Sequence, residues 1–193
     1  MRALVPADTR SDEELAAASA DGDADALAVL LDRHADRIHG ICRRVLTNPD
    51  DALDATQEAL IAVTRKIDRF DARARFTTWL YRVATNAAID EARRRARRPR
   101  PVEVLPERSE GDDFGSRIAD RLVVDAAMAE IPVEFRAAVA LRDLADLDYA
   151  QIAEILDVPP GTVRSRIARG RSALAATLGN QAGPSDRPTN EPQ

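Results

Sequence analysis

Between Asp148 and Arg171 the chain carries two short amphipathic helical patterns joined by the tight turn Asp157-Val-Pro-Pro160, and the second pattern is studded with arginine. Ile152, Ala153 and Leu156 supply an apolar side to the first pattern, Val158 fills the turn, and Val163, Ile167 and Leu174 give the second its own inward stripe. Ala153 is small enough to let the two helices cross closely. The pattern is that of a helix-turn-helix. Ser165, Arg169 and Ser172 project away from the stripe, with Arg166 on one flank and Arg164 and Arg171 on the other, and no acidic residue interrupts the run from Gly161 to Leu174. A cationic face of this kind suits phosphate oxygens and guanine edges in a duplex major groove.

The rest of the chain keeps the helical period. Strands are hard to find, alanine, leucine and arginine dominate, and aromatics are few, so the expected fold class is all-α. A length of 193 residues accommodates two small helical domains. The formal net charge of -5 would argue against a polyanionic partner only if charge were evenly spread. Instead Arg93, Arg94, Arg95, Arg97, Arg98 and Arg100 cluster mid-chain, while acids collect at the N-terminus and after Pro101. Lys66 is the sole lysine, and the arginine and alanine bias fits a GC-rich genome. Cys42 stands alone, which excludes an internal disulfide and a cysteine-based metal site. His34 and His39 miss the i, i+4 spacing of paired ligands, so neither a metal nor a cofactor is expected. No apolar run reaches the length of a membrane span and no signal-peptide pattern opens the chain, so a cytoplasmic protein without membrane insertion is expected.

Along the chain, Ser11 with Glu14 offers a capping box for a short first helix that the Asp21-Gly22-Asp23 turn closes. A second helix is expected from about Ala24 to Leu46, burying Leu27, Leu30, Leu31, His34, Ile38, Ile41, Cys42 and Val45. Cys42 lies on that stripe and reads as a core residue rather than a redox sensor. A third helix is expected from Asp50 to Phe70, with Leu53, Leu60 and Ile67 inward beside Thr56 and Val63. Its outer face mixes Asp54, Glu58, Ile61 and Arg65, with Gln57 at the edge, a combination that suits protein docking.

After the polar connector Asp71 to Arg75, a fourth helix opens at Phe76 and aligns Arg82, Asn86, Asp90, Arg93 and Arg97 as a polar, basic ridge. Phe70, Phe76, Trp79 and Tyr81 stand beside it. Rings next to arginines can grip unstacked bases of single-stranded DNA, each stack contributing ~1–3 kcal/mol, although Trp79 with Leu80 and Val83 reads as core. From Pro99 to about Asp120 the helical period disappears into an acidic, proline-bearing linker. Helices follow around Ala119 to Ile131 and Val133 to Leu144, divided by Pro132, and the tail beyond Leu178 has nothing to bury. The expected division is residues 1–98, a linker over 99–118, a second domain over 119–178 and a disordered tail over 179–193.

An aromatic-flanked helical domain, an acidic linker and a helical domain ending in a helix-turn-helix resemble the extracytoplasmic-function (group 4) sigma factors of bacterial RNA polymerase. The resemblance rests on Asp54-Ala-Thr-Gln-Glu58, on Arg69-Phe-Asp71 followed by Phe76 to Asn86, and on Tyr149 to Arg166. It covers about Asp12 to Leu178, and within the family it is nearest the SigM-type factors of actinobacteria. It implies a non-catalytic initiation subunit that binds core RNA polymerase and promoter DNA. Asp54, Gln57 and Glu58 would meet the β′ clamp coiled coil, with the β subunit also contacted. Phe70 and Asn86 would form the pocket for a base flipped from the minus-10 element, the loop Lys66 to Arg75 setting which base is accepted. Arg164, Ser165, Arg166 and Arg169 would face the minus-35 element, with Arg142 supporting. An anti-sigma factor is implied as an inhibitory partner. Pro160 and Ala168 depart from many relatives, so the resemblance implies no particular minus-35 preference. The rival reading is a helix-turn-helix regulator of duplex operators that acts without polymerase and predicts a two-fold symmetric site. An RNA-modifying enzyme is disfavoured because no carboxylate pair, nucleophile motif or glycine-rich phosphate loop is suitably placed.

Overall fold

The computed structural model describes residues 8–71, 75–97 and 124–181, and the elements within them are helical. The expected linker, the start of the helix expected at Ala119, residues 72–74 of the connector and the tail beyond Gln181 lie outside the described residues.

Each early helix begins where a side chain can take up orphaned amides. Ser11 caps α1 (Asp12–Ala20) reciprocally with Glu14: the Glu14 amide donates to Ser11 Oγ at 3.2 Å, and the Ser11 amide donates to Glu14 Oε2 at 2.7 Å. Gly22, at φ +98°, makes the turn into α2 (Ala24–Val45), whose Ala26 amide donates to Asp23 at 2.9 Å. Asn48 caps α3 (Pro49–Lys66), with Pro49 at the first helical position, where its missing N–H costs nothing. The third helix ends at Lys66, short of the expected Phe70, and a 3-10 turn, Ile67–Arg69, carries the chain toward α4 (Phe76–Ala96). Beyond the undescribed stretch come α5 (residues 124–129), α6 (Val133–Leu144), α7 (Tyr149–Leu156) and α8 (Pro160–Gln181). The last helix continues past Leu178, where the sequence pattern had ended.

In the N-terminal unit α1, α3 and α4 pack around α2. Leu30, His34, Ile38, Ile41, Cys42 and Val45 are buried as the period requires, while Leu27 and Leu31 are only partly covered. The inward face of α3 follows expectation at Thr56, Val63 and Ile67 and departs from it at Leu53. Ala52, Ala55, Thr56, Ala59 and Val63 are buried, Leu60 is half-buried, and Leu53 is 51% exposed. Small residues at these positions let α2 and α4 approach closely, and that contact rotates Leu53 out to solvent.

In the C-terminal unit the Ala137–Leu141 stretch of α6 is buried and packs against α8. Gly170 makes the crossing possible, because a Cβ there would lie 2.9 Å from Val139 Cγ2. Between α7 and α8, Asp157 takes a left-handed conformation (φ 51°), and the Val158 amide donates to the Ala153 carbonyl at 3.1 Å. Ile155 is buried on α7, whereas Leu156, Val158 and Leu174 are only partly covered.

The two units touch. α2 packs on α6, and α4 packs on α6 and α7. Arg43 forms an ion pair with Asp125 of α5 while donating to the Thr47 carbonyl at 2.7 Å.

Candidate nucleic-acid interface

The helix-turn-helix presents its arginines in two ways. Arg164, Ser165 and Arg169 are exposed on the first half of α8, and Ser165 Oγ donates to the Thr162 carbonyl at 2.9 Å. Tyr149, at the start of α7, lies under both Arg142 and Arg164, whose guanidinium carbons are 5.6 and 5.7 Å from its ring centroid. Arg142 also donates to the Leu147 carbonyl at 2.5 Å, so it is held against the bend that aims α7. Tyr149 is therefore a functional candidate that the arginine pattern alone did not reveal. Arg171, at the rear of the basic run, pairs with Asp143 at 2.5 Å.

Arg166 points elsewhere. It lines a cleft of about 230 Å³ together with Asn86, Asp90 and Arg93 of α4 and Glu134 of α6. Nearby, Arg82 donates to the Glu154 carbonyl at 2.7 Å, and Arg93 lies 3.6 Å from the Glu134 carboxylate. The basic ridge of α4 is thus partly covered by the C-terminal unit, a burial that the helical period of α4 could not announce.

Between α3 and α4 runs a larger cleft of about 590 Å³, whose walls include Lys66, Trp79, Arg82, Asn86 and Arg97. Trp79, expected in the core, is half-buried and lines this cleft. Phe70 does not line it. That ring packs on Trp79 at 5.7 Å between centroids and edge-on against the fully buried Phe76 at 5.5 Å, with an 86° interplanar angle. Asn86 and Phe70 therefore belong to one neighbourhood connected through Trp79. The arrangement offers a stacking ring and an amide in a lining of mixed charge, with Lys66, Arg82, Arg94 and Arg97 interleaved with Glu58, Asp90 and Glu91.

The outer face of α3 carries Asp54, Gln57 and Glu58 in the open, flanked by Leu53 and by Ile61 at 43% exposure. Two large aliphatics within an acidic and amide surface make the docking character stronger than the single isoleucine expected.

A helix-turn-helix unit beside a helical unit with an aromatic-edged cleft defines a class of DNA-binding proteins. Residues 30–98 match sigma-70 region 2, and residues 121–174 match sigma-70 region 4. The chain is 35% identical to the ECF RNA polymerase sigma factor SigW of Bacillus subtilis, the match spanning 81% of this chain and 91% of SigW. It is 36% identical to the ECF RNA polymerase sigma factor SigM of Mycobacterium tuberculosis, over 88% of this chain and 86% of that protein. In three dimensions it is similar to CnrH, solved with the cytosolic domain of CnrY, at a TM-score of 0.66 and 23% identity, covering 87% of this chain and 97% of CnrH. It is also similar to the sigma factor RpoE of Bartonella quintana, solved with the anti-sigma factor NepR, at a TM-score of 0.61 and 21% identity, covering 81% and 96% of the two chains. At these identities the structural likeness establishes the fold. The chain belongs to the extracytoplasmic-function sigma factors, non-catalytic subunits that direct RNA polymerase in promoter recognition.

Proposed function

We propose that this sigma factor divides a promoter between two modules, residues 119–178 holding the minus-35 duplex and residues 1–98 capturing a minus-10 base once the strands part. In the first module Arg164, Ser165 and Arg169 face the duplex, Arg166 joins them once its cleft against α4 opens, and Arg142 supports them from α6. In the second, Asn86 and Phe70 receive the flipped base, while Asp54, Gln57 and Glu58 dock on the β′ clamp of core polymerase. Residues 99–118 join the two modules in sequence.

The observation that carries this reading is the cleft between α3 and α4, where Trp79, Arg82 and Asn86 of α4 stand across from Lys66 and Glu58 of α3. Unstacked bases find there the ring and cations that single-strand sites use, and that binding energy is available only after melting. The exposed acidic and aliphatic face of α3 supports the docking assignment. A cytoplasmic site of action follows from polymerase as partner, and no described helix is long and apolar enough to cross a membrane. An anti-sigma protein belongs to the proposal because RpoE of the same fold was solved with one. Placement near the SigM factors is the finer part of the proposal, and the 36% identity to the mycobacterial protein is matched by similar identities to other extracytoplasmic-function factors.

Run-off transcription with purified protein, core polymerase and a promoter library tests the reading. Initiation at a defined subset of promoters is expected only when the protein is added. Arg164→Ala should weaken minus-35 engagement by ~1–3 kcal/mol if that arginine reads a guanine bidentately, with core binding intact. Failure of the intact protein to join core polymerase or to select any promoter overturns the proposal.

A further inference from the structure

Helix α4 begins without a local cap. Arg75 sits at the cap position in an extended conformation (φ -62°, ψ 137°), has no acceptor to offer and makes no capping hydrogen bond. Its carbonyl accepts from the Thr78 and Trp79 amides, which leaves the first amide of the helix, that of Phe76, to find a partner elsewhere. It finds one on α1: the Phe76 N–H donates to Glu13 Oε1 at 3.3 Å, across 63 positions of sequence. A carboxylate at that end of a helix also meets the positive end of its dipole.

The Glu13 side chain is exposed, but the stretch of α1 that carries it is held in place. The adjacent Asp12 takes Arg33 Nη1 at 2.6 Å on one oxygen and lies 2.7 Å from His34 Nε2 through the other, while Leu15 and Ala16 of α1 are fully buried. The amide that Glu13 anchors belongs to Phe76, the ring on which both Phe70 and Trp79 rest. Phe70 is thus positioned by the first turn of α4, and that turn is secured by α1.

We infer that Glu13 is a positioning residue for minus-10 base selection: by capping α4 at Phe76 from α1, it sets where Phe70 and Trp79 stand beside the cleft that Asn86 lines. The inference rests on the assignment of Phe70 and Asn86 to the flipped-base pocket. Glu13 touches no base. Its action passes through the backbone of Phe76.

The test uses holoenzyme assembled from the full chain and core polymerase on a promoter library randomised across the minus-10 element, with the base preference of the selected promoters as readout. Glu13→Ala should reduce preference at the flipped position by about fivefold, within the range that loss of a helix cap allows, and leave core affinity unchanged. Glu13→Gln, which keeps an acceptor oxygen, should retain an intermediate preference. Glu13→Gln is the decisive control, because its amide oxygen can still accept from the Phe76 amide. A Glu13→Gln variant as defective as Glu13→Ala overturns the capping route, as does an equal loss of core affinity, which marks general destabilisation. Asn86→Ala and Phe70→Ala report on the underlying assignment. If they abolish base preference and Glu13→Ala leaves it intact, the inference about Glu13 fails. If they leave it intact as well, the pocket assignment fails.

Discussion

Cys42 shows how one position on a stripe decides its own chemistry. It is fully buried on α2 with Sγ 3.9 Å from the Ala84 carbonyl oxygen, and burial pushes its thiol up to about 11 from an ordinary 9.0. The thiolate is the reactive form, so the folded protein keeps this residue inert. The unfolded chain ionises first as pH rises, and the stability that burial of the neutral thiol represents is lost between about pH 9 and about pH 11. Urea denaturation across that range should show a shallower loss for Cys42→Ala than for the parent, and alkylation of Cys42 at neutral pH should proceed no faster than unfolding. Rapid alkylation of the folded protein would contradict this. The assignment of Cys42 to the core was legible in the sequence because it depends only on helical period. Glu13 and Tyr149 were not, because their roles come from partners on other helices.

Among the elements, α3 and α8 show where periodic reasoning holds and where it stops. On α8, Val163 and Ile167 are buried as the stripe predicts, and the same stripe passes through Gly170, where sequence pattern sees only a weak helix former. The structure gives Gly170 a steric role against Val139 of α6. Gly170→Val should force those helices apart and destabilise the C-terminal unit by ~1–3 kcal/mol, read as a lower midpoint in urea with weaker duplex binding. Unchanged stability would mean that α6 and α8 cross less closely than described. On α3 the expected stripe holds at Thr56, Val63 and Ile67, with Leu60 packed against the core, and departs at Leu53, where the buried alanines Ala52, Ala55 and Ala59 take the inward side. Leu53 consequently joins Asp54, Gln57 and Glu58 on the outer face.

For the whole molecule, the sequence disclosed two helical units but not their contact, since ion pairs such as Arg43 with Asp125 link residues with no local pattern in common. The contact matters because Asn86 and Arg166, assigned to different promoter elements, line one small cleft. Simultaneous engagement of separated elements requires the units to part. A hydrogen bond to a charged group contributes about 1.5–3 kcal/mol, so Asp125→Ala should shift the population toward separated units, and added salt should act in the same direction. Energy transfer between dyes on α3 and α8 measures it: a longer mean distance is expected for the variant, and an unchanged one would show that this pair does not hold the units together. The central claim, that one unit binds paired strands and the other captures opened ones, is tested most directly by initiation on a matched duplex promoter and on the same promoter with its minus-10 region held open by mismatches. Asn86→Ala is predicted to be defective on the duplex and to recover most of its activity on the opened template, while Arg164→Ala stays defective on both. Recovery of Arg164→Ala on the opened template, with Asn86→Ala defective on both, would contradict the account.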